Sequence, residues 1–283
     1  MKEKLVKRIA IKYYKTKFRS LAILSPKIAA ESAFQLFCKP YSGKPKRIEP
    51  SIFKKADVIQ IKVNGITVRG WHWKTNEANS KNILIAHGFD SFSYRFEKYV
   101  QPLLTKGYNV LAFDAPGHGI SEGKTLHSLQ YKEVMIAIHK QLGPLSAIMG
   151  HSMGGLAASL AAEEIKTIEK LVLIAPAVEI TRAIQYFTHY VGLSNPVKEA
   201  FNNYILDVAQ QPISYFDVGR AIEYLSTSIL WLHDKEDKIC PYIDVVPVQR
   251  KQLSHIQFYI TKGLGHSKIY REQTSLKAII DFL

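Results

Sequence analysis

The sequence predicts an α/β protein: a mostly parallel sheet with helices on both faces, a small helical insertion, and a basic helical segment ahead of the sheet. Three observations predict it. From residue 57 onward short apolar runs alternate with helical stretches, the pattern of a parallel sheet covered on both sides. About 50 residues of helical, aromatic-rich sequence interrupt that alternation once. The positive charge, finally, is gathered at the front of the chain: residues 1–50 hold 13 basic residues and three acids, a net of +10 out of +14.

The front reads as two helices. Over residues 3–19, at 100° per residue, Lys4, Arg8, Lys12, Lys15 and Arg19 fall within an arc of about 80°, with Leu5, Val6, Ile9 and Tyr13 on an adjoining apolar face. Like charges four apart oppose an isolated helix, so the stripe gains from an anionic neighbour, and residues 1–19 are expected to touch an anionic membrane surface peripherally. Ser25-Pro26 starts a second helix and Cys38-Lys39-Pro40 stops it. The turn-rich stretch from Tyr41 to Arg47 reads as a linker, so residues 1–50 form an extension to a domain at 51–283. That domain is only modestly basic, which sets nucleic acid aside as a partner. No apolar run is long enough to cross a membrane, and two cysteines, Cys38 and Cys240, form no disulfide framework, so a reducing, cytoplasmic setting is expected.

Along the domain, Val58, Ile59, Ile61 and Val63 lead to Asn64-Gly65 and then Ile66, Val68 and Trp71, which spells a β-hairpin. The later strands are read at Ile83–Ala86, Val110–Phe113, Leu145–Met149, Leu171–Ile174, Ile229–Leu232 and Ile256–Ile260. The gap before the strand at Ile229 is far longer than a simple crossover, and residues 178–226 are expected to form a helical lid. Its aromatics (Tyr186, Phe187, Tyr190, Phe201, Tyr204, Tyr215, Phe216) either line an apolar pocket or pin the lid helices down.

The strand at Leu145–Met149 ends in Gly150-His151-Ser152-Met153-Gly154-Gly155, directly before an Ala-rich helix. A serine at the tip of a sharp strand-to-helix turn has its hydroxyl lifted into the open, and flanking glycines let strand and helix approach without side-chain clashes. Serine needs a base within reach and a third group to orient that base. His266, in Gly263-Leu264-Gly265-His266-Ser267 after the last strand, opens on the same sheet edge. After Ile229–Leu232 the chain reads His233-Asp234-Lys235-Glu236-Asp237-Lys238, and Asp237 is the chosen acid with Asp234 in reserve. The other histidines of this edge, His87, His118 and His151, are read as loop-shaping.

The elbow, the order Ser…Asp…His and the strand pattern together resemble the α/β-hydrolase fold superfamily over residues 57–283, and within it the lidded serine esterase and lysophospholipase-like branch. His87-Gly88-Phe89 is similar to that family's oxyanion loop, and Asp114-Ala115-Pro116-Gly117-His118-Gly119-Ile120-Ser121 to its D-x-P-G-H-G-x-S loop. The resemblance implies nucleophile Ser152, acid Asp237, base His266, and an oxyanion hole from the backbone N–H groups of Phe89 and Met153. It implies a carboxylic-ester hydrolase with no metal or organic cofactor, and the aromatic-rich lid suggests a small ester with an apolar acyl or aryl group. Thioester hydrolysis, amide cleavage, acyl transfer to another alcohol and perhydrolysis use nearly the same residues, and a non-catalytic binding protein could share the fold. A dehalogenase or an epoxide hydrolase would carry Asp where Ser152 stands. Two departures bear on the fit: Asp234 stands where the family often has glycine, and bulky Phe89 where some carboxylesterases have a further glycine run.

Overall fold

A computed structural model describes residues 2–43, 47–77 and 79–283, with side chains from residue 8 onward. Lys44, Pro45 and Lys46 of the expected linker, and the side chains of Lys4, Leu5 and Val6 in the expected stripe, lie outside the described residues. The chain divides into two compact units, one of residues 1–39 with 179–216, the other of residues 40–178 with 217–283.

The larger unit is built on an eight-stranded sheet in the order β1-β2-β4-β3-β5-β6-β7-β8. Strands β1 (Asp57–Val63) and β2 (Ile66–Trp73) form the expected hairpin, and Asn64 and Gly65 both have positive φ, as a tight two-residue turn requires. Strand β2 also runs antiparallel to β4 (Tyr108–Phe113). All other pairings are parallel, through β3 (Lys81–Ala86), β5 (Leu145–His151), β6 (Lys170–Ile174), β7 (Ser228–Asp234) and β8 (Ile256–Thr261). Every strand read from the sequence is present, with ends shifted by two residues at most.

Because side chains alternate across a strand, β3 to β7 bury both of their faces. On one face Ile83, Ile85, Val110, Met149, Val172, Ile174, Leu230 and Leu232 pack with Tyr99, Val100 and Leu103 of helix α3 (Glu97–Thr105) and Leu276 and Ile279 of the C-terminal helix Gln273–Phe282. Helices α4 (Ser128–Leu142) and α5 (Met153–Ala162) pack against each other, and α5 also against β5 and β6. Helix α5 is almost wholly buried, and its Leu and Ala residues suit a helix enclosed on all sides.

The smaller unit is helical. Helices α1 (Lys2–Leu24) and α2 (Pro26–Phe37) meet near Ser25, with Pro26 at the first helical position. They share a core with α6 (Ile180–Tyr190) and α7 (Asn195–Ala209). Phe18, Ala29, Ala30, Ala33 and Phe34 pack with Phe187, Val197, Phe201 and Ile205, and the small Ala29-Ala30-Ala33 face lets helices approach closely. Phe187 and Phe201 therefore serve to pin the insertion to the N-terminal helices, and Tyr204 stacks edge-on against Phe34. No described helix is long and apolar enough to cross a membrane.

Candidate active site

The carboxyl ends of the parallel strands bring the sequence-derived residues to one sheet edge. Ser152 follows β5, the His87-Gly88-Phe89 loop follows β3, the Asp114 loop follows β4, Asp237 follows β7 and His266 follows β8. In a parallel sheet this edge is where loops can converge on a ligand, while the strands below hold them rigidly.

Ser152 has φ 54° and ψ −123°, a conformation that side chains rarely adopt. The surroundings enforce it: the Ser152 N–H donates to Ile174 O at 3.0 Å, and the Ser152 carbonyl accepts from Gly155 and Ala177. Glycine is obligatory two residues before the serine, where a Cβ on Gly150 would stand 2.6 Å from the Gly154 carbonyl oxygen. A Cβ on Gly154 would meet the carbonyl oxygens of Ala86 and His87 at 2.5 Å. The two glycines thus let β3, β5 and α5 close up under the serine.

His266 Nδ1–H donates to Asp237 Oδ2 at 2.7 Å, and the Asp237 carboxylate is fully buried. Its other oxygen accepts the amides of Ile239 and Cys240 at 2.8 and 2.9 Å. Burial works against the Asp237 charge, but the imidazole and the two amides outweigh it and hold the carboxyl below its ordinary range. Hydrogen bonding at Nδ1 leaves the His266 Nε2 lone pair available as a base.

Asp234 has a different task. Its Oδ2 accepts from Thr261 Oγ1 at 2.7 Å and from the Leu264 amide at 3.0 Å, and its Oδ1 from the Glu236 amide at 2.9 Å. It ties the end of β7 to the start of the His266 loop. Where the family often has glycine, this chain has a carboxylate bracing the loop that carries the histidine.

The His87-Gly88-Phe89 loop is held from below. His87 Nδ1–H donates to Gly88 O at 2.7 Å while Nε2 accepts the Ala115 amide at 2.9 Å. Fixing the Gly88 carbonyl also fixes the opposite side of that peptide, the Phe89 N–H. His118 does the same for the neighbouring loop, accepting the Asp90 amide at Nε2 and donating from Nδ1 to Pro116 O. Asp114 accepts the amides of Ser93 and Ile120. Burial pushes both His87 and His118 down to about 4, so each is a neutral, fixed tautomer. Gly88 lies against the Ser152 turn, since a Cβ there would stand 2.9 Å from both Ser152 Cβ and His151 Nδ1. Phe89 is half-buried beside His118 and Tyr41.

Two residues at this edge, Tyr270 and Cys240, carried no clear signal in the sequence, and His151, read there as loop-shaping, sits against His266. His151 donates from Nε2 to His266 O at 3.0 Å and packs its ring on His266 and Tyr270, each at 4.7 Å between centroids. Burial pushes it down to about 3. Tyr270 stacks on Phe96 at 5.0 Å and walls the other side of His151. Cys240 sets its thiol against the Ser152 hydroxyl, and burial raises the thiol far above its ordinary range. Only its position three residues after Asp237 could have pointed to it. Among the described residues no group of three or more His, Cys, Asp or Glu is arranged to hold a metal ion.

The architecture has close counterparts. An esterase of Pyrococcus furiosus superposes with a TM-score of 0.64 over 85% of this chain and 95% of its own, at 18% identity. Est1E of Butyrivibrio proteoclasticus does so with a TM-score of 0.62 over 80% and 96%, at 20% identity. The chain has the α/β-hydrolase fold. A family model described as serine aminopeptidase, S33 matches residues 77–209 of this chain, a stretch holding the His87-Gly88-Phe89 loop and the Ser152 turn but neither Asp237 nor His266. Human monoglyceride lipase is 27% identical over 148 residues, 49% of each chain. The lysophosphatidylserine lipase of Danio rerio is 24% identical over 234 residues, 75% of this chain and 60% of that protein. Putative esterase/lipase 3 of Mycoplasma pneumoniae is 29% identical over 139 residues, 48% of this chain and 46% of its own. The chain thus spans about half the length of the curated relatives it matches.

Proposed function

We propose that this α/β-hydrolase is a serine hydrolase that cleaves carboxylic esters through Ser152, His266 and Asp237. The observation that carries the reading is the buried Asp237–His266 hydrogen bond of 2.7 Å on the sheet edge where Ser152 is held at φ 54°. His266 Nε2 takes the Ser152 hydroxyl proton as Oγ attacks the ester carbonyl, and Asp237 stabilises the imidazolium that forms. The negative charge on the carbonyl oxygen is met by the amides of Phe89 and Met153, the second backed by the N-terminus of α5. The imidazolium then protonates the leaving alcohol, and water, deprotonated by His266, releases the acid. No step calls for a cofactor.

The substrate class is a small ester with one apolar acyl or aryl group, of the kind found in monoacyl glycerolipids. Two matched relatives carry names of that type, monoglyceride lipase and lysophosphatidylserine lipase. Both cysteines are free and buried, which suits a reducing, cytoplasmic setting.

Labelling purified protein with a fluorophosphonate probe tests the reading, together with Ser152→Ala, His266→Ala and a chain-length series of p-nitrophenyl esters and their thioester counterparts. Labelling lost in Ser152→Ala and strongly reduced in His266→Ala is expected, with esters turned over faster than thioesters. Folded wild-type protein that neither labels nor turns over any ester would favour a binding role on the same fold.

A further inference from the structure

Helix α1 carries eight basic residues and one acid over Lys2–Leu24. The structure divides its described surface into two apolar faces. One is centred on Phe18, with Tyr14, Leu21 and Ala22, and is packed into the helical unit. The other is turned to solvent: Ile9 is 60% exposed, Tyr13 61%, Ile23 86% and Leu24 76%. At 100° per residue these four, with exposed Thr16 and Ser20 between them, span an arc of about 100° opposite Phe18. Arg8, Lys12 and Arg19 border that arc on one side and Lys17 on the other. None of these four cations is ion-paired or hydrogen-bonded to a described residue.

We infer that this outer face of α1 docks on an anionic lipid bilayer, its four apolar side chains dipping among the acyl chains while the bordering cations meet the headgroups. An exposed apolar stripe edged by lysine and arginine on both sides is the arrangement that an interfacial helix needs: burial of the stripe and attraction to anionic lipid act in the same direction. The inner face, held by Phe18, fixes the helix to its unit, so the outer face is presented without a folding cost. Charge selects this occupant over the others. A second copy docked through a two-fold axis would set these cations against their own copies. A nucleic acid would need the cations at the centre of the contact, where this face has isoleucine, leucine and tyrosine.

The test uses the full-length protein with vesicles of phosphatidylcholine alone or mixed with phosphatidylglycerol, read by co-sedimentation. Three variants are compared: Ile9→Ser/Ile23→Ser/Leu24→Ser, Arg8→Gln/Lys12→Gln/Arg19→Gln, and Ser152→Ala. All the changed residues on α1 are exposed, and far-ultraviolet circular dichroism checks that each variant is folded. Wild type is expected to sediment with the mixed vesicles, weakly with phosphatidylcholine, and less as salt rises. Each removed charge is worth roughly fivefold, so the triple Gln variant should bind on the order of 100-fold more weakly. The triple Ser variant should lose binding even at low salt, which charge attraction alone does not predict. A Tyr13→Trp variant should show a blue-shifted emission on mixed vesicles. Ser152→Ala must bind as wild type does, which separates this surface from the catalytic reading. Equal recovery in the supernatant with both vesicle types overturns the inference. So does self-association that the triple Ser variant abolishes in the absence of lipid, or binding to a DNA duplex with no retention on vesicles.

Discussion

The backbone of Ser152 stores strain that a substitution can release. At φ 54° and ψ −123° any residue with a Cβ is disfavoured by about 1–3 kcal/mol, whereas glycine takes such a conformation freely. Ser152→Ala removes the proposed nucleophile and keeps the Cβ, and hence the strain. Ser152→Gly removes both. Glycine loses more freedom on folding, about 0.5–1 kcal/mol, so the net expectation is that Ser152→Gly is more stable than Ser152→Ala by about 0.5–2 kcal/mol. For a chain of this size that is roughly 1–8 °C in Tm. The assay is thermal unfolding by circular dichroism, with urea midpoints as a second measure, and the comparison between the two variants cancels the lost hydroxyl. Both should fail to label with a fluorophosphonate. Equal stability, or Ser152→Ala the more stable, would refute the claim that the elbow is held against its local preference by Ile174, Gly155 and Ala177.

Other outcomes follow from the same contacts. Asp237→Asn removes the charge that orients and stabilises the His266 imidazolium, and kcat on a p-nitrophenyl ester should fall by about 10³–10⁴ with little change in KM. Asp234→Asn weakens the brace from Thr261 and Leu264 to the His266 loop; kcat should drop by roughly 10–100-fold while the protein stays folded, and an unchanged kcat would show that the brace is idle. Gly150→Ala forces a Cβ against the Gly154 carbonyl and should cost about 1–3 kcal/mol or more in stability by urea titration; a neutral result would mean that the elbow yields easily. Stability should also depend on pH. His87, His118 and His151 are buried and neutral, pushed down to about 4, 4 and 3 from an ordinary value near 6.5. Between pH 6.5 and 4 the unfolded chain binds more protons than the folded one. Stability is thus highest above 6.5 and falls as pH drops, by up to about 1.4 kcal/mol per pH unit for each histidine. Asp237 and Asp234, held below the ordinary carboxylate range, add their loss only below about pH 4. A urea midpoint that does not move between pH 7 and 5 would contradict the neutral assignment.

Much of this molecule is legible in the sequence because it is set by neighbours along the chain. Asn64-Gly65 supplies the two positive φ values of a hairpin turn, Ser25-Pro26 starts a helix with the one residue that lacks an N–H there, and short continuous apolar runs such as Ile83–Ala86, bounded by polar residues, suit strands buried on both faces. The G-H-S-M-G turn belongs to the same class, since its glycines answer contacts made within a few residues or with the adjacent strand. What lay beyond the sequence involves partners far apart along it. The sequence favours Asp237 over Asp234 as the partner of His266, but the contact itself depends on how the β7 and β8 loops cross, since the two carboxylates stand only three residues apart at the end of one strand. The role of His151 under His266, 115 residues away, has no local signature. Nor does the core that Ala29, Ala30, Ala33 and Phe34 share with Phe187 and Phe201, because an apolar helix face does not name the face that covers it. The sequence by itself determined the elements, their order, the α/β class and the turn that exposes Ser152, all consequences of backbone geometry and hydrophobic period. Only the tertiary structure decided which acid orients His266, which helices enclose one another, and which face of α1 is left to solvent, because those outcomes depend on packing between segments that no local preference brings together.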